Sequence, residues 1–411
     1  LSRLKEKEAF RELFPAVSVK WDDSSGIVSN KEYFGDKYQL RMKHPLYHGG
    51  ELKYTWEQSK ANLRIAEENY KKSIEDFAHE VIKTYYELVK TEKNSKVQEN
   101  LLKELESDLD MAKKEYDAEL LTLVEFLNVQ AQYNQAYYAN LSSQNSLSLA
   151  RLHFLQLLNL DRKPDISTRV GTDLKFKELN VDLEECVALA YENRADLKIN
   201  ELSLEAAVHG EKVAGSQQLP WVDLTGRIGR SGEAFAADEL QMSDDWFVGA
   251  KINIPWGPNT MKYSYTDENI APSLTTFTPT DNEIHSLTFD VLDNLSSFTE
   301  SQQAEVTRQR ALADLLKLRQ TIAAEVREAY FSYQETILKV KNSLANHELY
   351  KKELLIVEEK RSINEAQTSD VIGSKVKVAG EETNYNSLLA DYALAVEKLN
   401  KVIGVKDYFR L

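Results

Sequence analysis

Glycine and proline are scarce: 15 and 8 in 411 residues, and neither occurs between Gly50 and Pro164. A chain this poor in turn-formers cannot reverse often, which excludes loop-rich small-strand folds over most of its length and points to long helices. The single cysteine, Cys186, excludes an intrachain disulfide. No apolar run approaches the 18 residues of a transmembrane helix, although barrel strands, only half apolar, escape that test. Positive charge is also lacking. With 51 basic against 66 acidic residues the net charge is −15, which disfavours nucleic acid or anionic headgroups as partners. No signal peptide heads the chain, and it starts mid-pattern at "LSRLKEKEAF", as expected of a trimmed sequence.

What is present is a duplication. Residues 77–160 align without a gap on 322–405 at a constant offset of 245, so Ala78, Glu80, Val81 and Tyr85 meet Ala323, Glu325, Val326 and Tyr330. Upstream, "LFPAVSVKW" matches "QLPWVDLTG" with Pro15 on Pro220, and "MKHPLYHGG" matches "INIPWGPNT" with Pro45 on Pro255. The offsets there are 205 and 210, and the jump from 210 to 245 puts about 35 extra residues before the second long helix. The first repeat is 1–160, with strands about 15–46 and helices about 51–116 and 123–159. The segment 161–182, with Pro164 and Gly171, is a surface connection. The second repeat is 183–411: short helices 183–215, strands about 219–256, an insert about 257–302, and helices about 303–363 and 369–404.

From Glu51 onward, Leu63, Ala66, Tyr70, Ile74, Phe77, Val81, Tyr85 and Leu88 step by three and four. At ~1.5 Å per residue such a helix is roughly 100 Å long, so it packs beside others as a coiled coil. The turns fall at "DAELLT" and "NEAQTS", where Asn364 is a good left-handed terminator and Glu119 a poor one.

Four strands are expected, at Pro15–Asp23, Asp36–Leu46, Leu219–Arg230 and Asp245–Trp256. One face is apolar (Val17, Leu40, Leu224, Ile252) and the other polar, and Trp21, Trp221, Trp246 and Trp256 sit at strand ends. That is also the pattern of an antiparallel sheet with one wet face. The Trp-rich ends favour an aromatic girdle. Four strands cannot close in lipid, so other copies must complete them, and three copies give twelve strands above a cylinder of twelve helices. Gly49 and Gly50 would supply the bend where strand becomes helix. Lys20, Arg41, Lys43, Arg227 and Lys251 share the polar face, so a basic barrel lumen is expected.

The repeated "LFP…/LPW…" strand starts, the "PLYHGG" joint and the endings "LQLLNL" and "LNKVIG" make nearly all of the chain resemble the TolC-like outer-membrane efflux family. That resemblance implies an α+β channel-tunnel: a 12-stranded trimeric barrel, four strands per protomer, continued by a helical coiled-coil barrel. It implies a homotrimer in outer-membrane lipid that extends into the periplasm, and a periplasmic adaptor and an inner-membrane transporter as partners. The function implied is the exit duct of a tripartite efflux or type I secretion system. The family motif "DVLDA" stands here as "DVIGS", which places the pore constriction at Asp370 and Gly373. The latch positions align with Arg361 and Ala366, and the adaptor-docking tip with Glu119, Leu120 and Asn364. Most of the family's first helix is missing before Leu1.

No catalytic grouping, cofactor or metal site is expected. His44 and His48 are four apart, but Pro45 breaks the helical face that spacing needs. "TGRIGRSG" lacks both the phosphate-loop spacing and a following helix. The open rival is a structural coiled-coil scaffold of the cell envelope. For the insert, Pro258, Pro272 and Pro279 argue against a helix in its first half. One short strand is expected at "HSLTFDVLD", within a collar or plug near the joint.

Overall fold

A computed structural model describes residues 1–160, 174–363 and 365–409. The order is α1 (Ser2–Arg11), β1 (Ala16–Val28), β2 (Lys31–His48), α2 (Glu51–Asp117), α3 (Leu123–Leu157), α4 (Leu183–Asn193), α5 (Ala195–Ser216), β3 (Trp221–Phe235), β4 (Ser243–Trp256), β5 (Asn259–Ile270), β6 (Thr280–Asp290), α6 (Leu295–Ser362) and α7 (Thr368–Ile403). The duplication is visible in the helices: α2 and α6 have 67 and 68 residues, α3 and α7 have 35 and 36. The chain divides into two compact units, Leu1–Tyr70 with Asp196–Lys317, and Lys71–Ala195 with Leu318–Leu411.

The first unit holds one antiparallel six-stranded sheet in the order β1-β2-β3-β4-β5-β6. The four expected strands are β1 to β4, all longer than expected, and the count of four is corrected to six. The insert supplies the other two. Its prolines do not interrupt strands: Gly257, at φ +60°, and Pro258 form the tight β4–β5 turn, while Pro272 and Pro279 lie between β5 and β6. Between them Met261, Tyr263 and Tyr265 alternate with Lys262, Ser264 and Thr266, a strand pattern like that of "HSLTFDVLD". The insert is therefore a hairpin on the edge of β4, not a collar or plug with one strand, and α6 starts at Leu295 rather than near 303.

The β2–α2 joint is built on its two glycines. Gly49 and Gly50 have φ of +60° and +91°, and a Cβ on Gly49 would come within 2.6 Å of the Ser216 carbonyl oxygen. Four helical segments follow one another within this unit. α1 meets α2 through Trp56 Nε1–Glu6 (2.8 Å) and Arg3–Glu67 (3.3 Å). α2 meets α5 through Lys198–Glu68 (3.5 Å), and α5 meets α6 through Arg308–Glu211 (2.7 Å).

The second unit has two apolar cores. One joins α2, α3 and α7 around Leu101, Leu105, Val129 and Ile372. The other joins α6 and α7 around Tyr333, Val340, Tyr392 and Leu399, with Leu174, Phe176, Leu179 and Val181 of the connecting segment laid against it. Residues 161–173 of that segment lie outside the described residues. Cys186 is buried on α4, and burial pushes its thiol up to about 11, with Glu185 and Asp182 adding to the rise.

His347 of α6 stacks on Tyr385 of α7 (centroids 6.4 Å apart, planes 4° apart), its Nδ1 buried without a partner. Burial and then Lys351 hold it below its ordinary 6.5, against the opposing pull of Glu382, Glu381 and Glu348. The unfolded chain thus takes up this proton first as pH falls through 6.5. The stability from neutral His347 is complete above 6.5 and is lost as pH drops toward the depressed folded value. His347→Phe, which keeps the stack, is expected to lessen the fall in helix melting temperature between pH 7.5 and 5.5. An unchanged fall would place the pH sensitivity elsewhere.

Candidate functional site

In the second unit the α2–α3 and α6–α7 turns are tied together. Glu119 takes φ +60°, the strained left-handed cap that its type makes costly. Thr122 then caps α3 in a reciprocal box with Glu125: Glu125 N–H donates to Thr122 Oγ1 at 3.3 Å, and Thr122 N–H to Glu125 at 2.9 Å. The matching place in the second repeat is Gln367, whose N–H donates to Asp370 at 3.0 Å. Across the pair of turns Gln367 Nε2 donates to Glu125 (2.7 Å), Arg361 pairs with Glu115 (2.5 Å) and Thr368 reaches the other Glu115 oxygen (3.4 Å). Two turns deeper, Lys375 and Asp108 form a largely buried pair at 2.8 Å.

Of the positions expected to matter here, Asp370 is exposed at the first turn of α7, and Gly373 is open enough to accept a Cβ without contact. Arg361 is engaged with α2, and Ala366 lies in the turn. Asn364 lies outside the described residues. Leu120 is 79% exposed, and Leu123, Val124 and Leu127 extend that apolar surface along the start of α3. Glu115, Glu125 and Gln367 escaped the sequence reading. The Thr-x-x-Glu spacing of Thr122 and Glu125 would have revealed the cap, but nothing local reveals a partner more than 240 residues away.

In the first unit the sheet has two unlike faces. Lys20, Arg41, Lys43, Arg227 and Lys251 do share one of them, but so do Asp223 and Asp245. Lys20 pairs with Asp22 (2.7 Å), Lys43 with Asp223 (3.8 Å) and Arg227 with Asp245 (3.0 Å). Arg41 donates to the Gln39 side-chain oxygen (2.7 Å), and Lys251 stands 5.5 Å over the Trp221 ring. The face is therefore charged but largely compensated, which reduces the basic field expected from the cations alone. His48 at the joint pairs with Asp223 (2.8 Å) and faces Glu51 (3.7 Å). Among the described residues no group of three or more His, Cys, Asp or Glu is placed to hold a metal.

The other face is apolar and open: Val17, Val19, Trp21, Tyr38, Leu40 and Met42 are all exposed, Val19 by 82%. Among the described residues the outer edges of β1 and β6 carry no strand partner. No described helix is long and apolar enough to cross a membrane.

The outer membrane efflux protein family model matches residues 7–160. No curated protein sequence matches the chain. Among solved structures, the chain is similar to the CmeC outer membrane channel of Campylobacter jejuni (TM-score 0.76, 15% identity, 98% of this chain and 80% of that one). It is similar also to the outer membrane protein VceC of Vibrio cholerae (0.74, 15%, 98% and 90%). The open-state MtrE outer membrane channel of Neisseria gonorrhoeae gives 0.69 at 14% identity, over 98% and 83%. At such identities the shared property is the fold. The family signature lies over the first repeat, and the fold of these channels runs along 98% of the chain, so in both respects the chain resembles the outer membrane efflux proteins.

Proposed function

We propose that three copies of this chain form an outer-membrane channel that continues into the periplasm as a helical tube, the exit duct of a tripartite efflux or type I secretion system. The observation that carries this reading is the sheet with one exposed apolar face, one charged face and two open edges. Open edges in lipid are prohibitively costly, so the sheet must be completed by further copies. The paired helical turns form the periplasmic end. Glu119, Leu120 and the exposed start of α3 meet the adaptor, which in turn contacts an inner-membrane transporter. Arg361–Glu115 and Gln367–Glu125 hold each copy's two turns together there.

Asp370, once per copy, rings the constriction and attracts cations. Asp370→Asn removes the charge and keeps an acceptor for the Gln367 N–H, so the helix start survives. Detergent-extracted protein should have three times the 47.0 kDa chain mass and conduct in planar bilayers. Asp370→Asn should lose most of its cation selectivity and its block by multivalent cations. A detergent-free monomer or dimer without conductance would support the scaffold rival instead. Unchanged block in the variant would remove Asp370 from the constriction.

A further inference from the structure

We infer that the β5–β6 hairpin is barrel wall, so that each copy contributes six strands. β6 of one copy then pairs with β1 of the next, closing an 18-stranded barrel. This inference rests on the channel reading above.

Its basis is the height at which the outward face changes from apolar to charged. The first charged outward residue toward the hairpin-loop ends is Asp23, Asp36, Arg230, Asp244, Asp267 and Glu283 on β1 to β6 in turn. The strand register gives the offset at each step. Asp23 faces Asp36, Arg230 faces Asp244 and Asp267 faces Glu283, so those three steps have none. Asp36 faces Gly232, two residues beyond Arg230, and Asp267 faces Val248, four residues short of Asp244. The border thus descends by six residues over five steps, always in the same sense. At ~3.3 Å per residue and ~4.8 Å between strands this is a tilt of about 40°, within the range of barrel strands.

A hairpin lying outside the wall would have no cause to follow that line. Instead Met261, Tyr263 and Tyr265 with Leu287 and Phe289 continue the apolar belt at the height the tilt requires, and Leu287 and Phe289 are exposed. Asp267 and Glu283, which would lie in lipid on a level belt, fall above an oblique one. The girth agrees as well. Eighteen strands at that tilt close on a circumference of about 113 Å, and twelve on about 75 Å. Four helical segments per copy, twelve in the trimer at ~8–10 Å between axes, need about 96–120 Å, which eighteen strands match and twelve do not.

The same descent sets the seam. Glu283 should face Asp23 of the next copy, or the residue two beyond it, which puts Leu287 opposite Val19 or Trp21. The test is disulfide trapping of full-length protein in membranes, in a Cys186→Ser background. Leu287→Cys combined with Val19→Cys, or with Trp21→Cys, is expected to shift most of the chain into covalent dimer and trimer bands in one of the two pairings. If β4 forms the seam, Val248→Cys with Val19→Cys or Trp21→Cys should do so instead. A ladder from the Val248 pairs, or none from any pair, overturns the inference. The mass in detergent separates the two failures: a persisting trimer leaves the channel reading standing, and loss of the trimer removes both.

Discussion

Asp245→Ala is expected to cost about 2–4 kcal/mol, less than the ~3–5 of a fully buried pair, because it strips a buried counter-charge from two half-buried cations. Asp245 is 1% exposed on β4, yet it reaches past its hairpin partner β3 to bind β2 as well. Lys37 of β2 lies 3.1 Å from it, Gln39 Nε2 of β2 donates at 2.7 Å, and Arg227 of β3 donates at 3.0 and 3.1 Å. Gln39 in turn holds Arg41, so a single carboxylate orders four side chains on the polar face. The expected readout is a lower urea midpoint for loss of strand signal in detergent. Asp245→Asn keeps an acceptor and should cost less, about 1–3 kcal/mol. Lys20→Ala breaks only the exposed pair with Asp22 and should cost under ~1 kcal/mol. Equal effects for Asp245→Ala and Lys20→Ala would show that the cluster contributes no more than a surface pair.

Periodicity made most of this fold legible. A stretch without Gly or Pro from 51 to 163 leaves helix as the economical reading, and the 245-residue offset carries that reading to α6 and α7. The Gly49–Gly50 joint was legible because only glycine takes positive φ without strain. The insert was misread for a physical reason. The three prolines do argue against a helix in its first half, but Pro258, Pro272 and Pro279 stand at its turns and leave two clean strands between them, where one is expected. The tip and the polar face show a different limit. Residue type announces that Arg361 or Lys37 carries charge, but only the register and the helix pairing choose Glu115 or Asp245 as partner. Alternation places Asp245 on the polar face from sequence alone. Its burial there depends on neighbouring strands that alternation does not specify.

The connecting segment rests on two phenols, and removing one should free it. Tyr392 of α7 is 0% exposed, with its ring edge-on to Phe176 (5.1 Å) and beside Tyr333 (5.9 Å), and its hydroxyl donates to the Lys177 carbonyl. Tyr333 acts like a neighbouring strand: its hydroxyl donates to the Leu179 carbonyl and accepts from the Leu179 N–H, each at 3.1 Å. Residues 174–181 lie in neither helix nor strand, so these bonds give the Lys177 and Leu179 backbone groups partners that no ladder supplies. Burial accordingly holds the Tyr392 hydroxyl well above its ordinary 10.0. Tyr392→Ala removes ring and hydroxyl together and should cost about 3–5 kcal/mol, as buried aromatic truncations do. Tyr392→Phe keeps the packing and removes only the bond to the carbonyl of the exposed Lys177, for about 0.5–1.5 kcal/mol. Limited trypsin digestion followed by mass spectrometry reads the difference at Lys175 and Lys177. If the segment opens locally, each 1.4 kcal/mol lost raises cleavage about tenfold, so Tyr392→Ala should be cut at least a hundred times faster than the parent. Cleavage after Lys175 at the parent rate in Tyr392→Ala would mean that the apolar contacts of Phe176 and Leu179 hold the segment without the phenols.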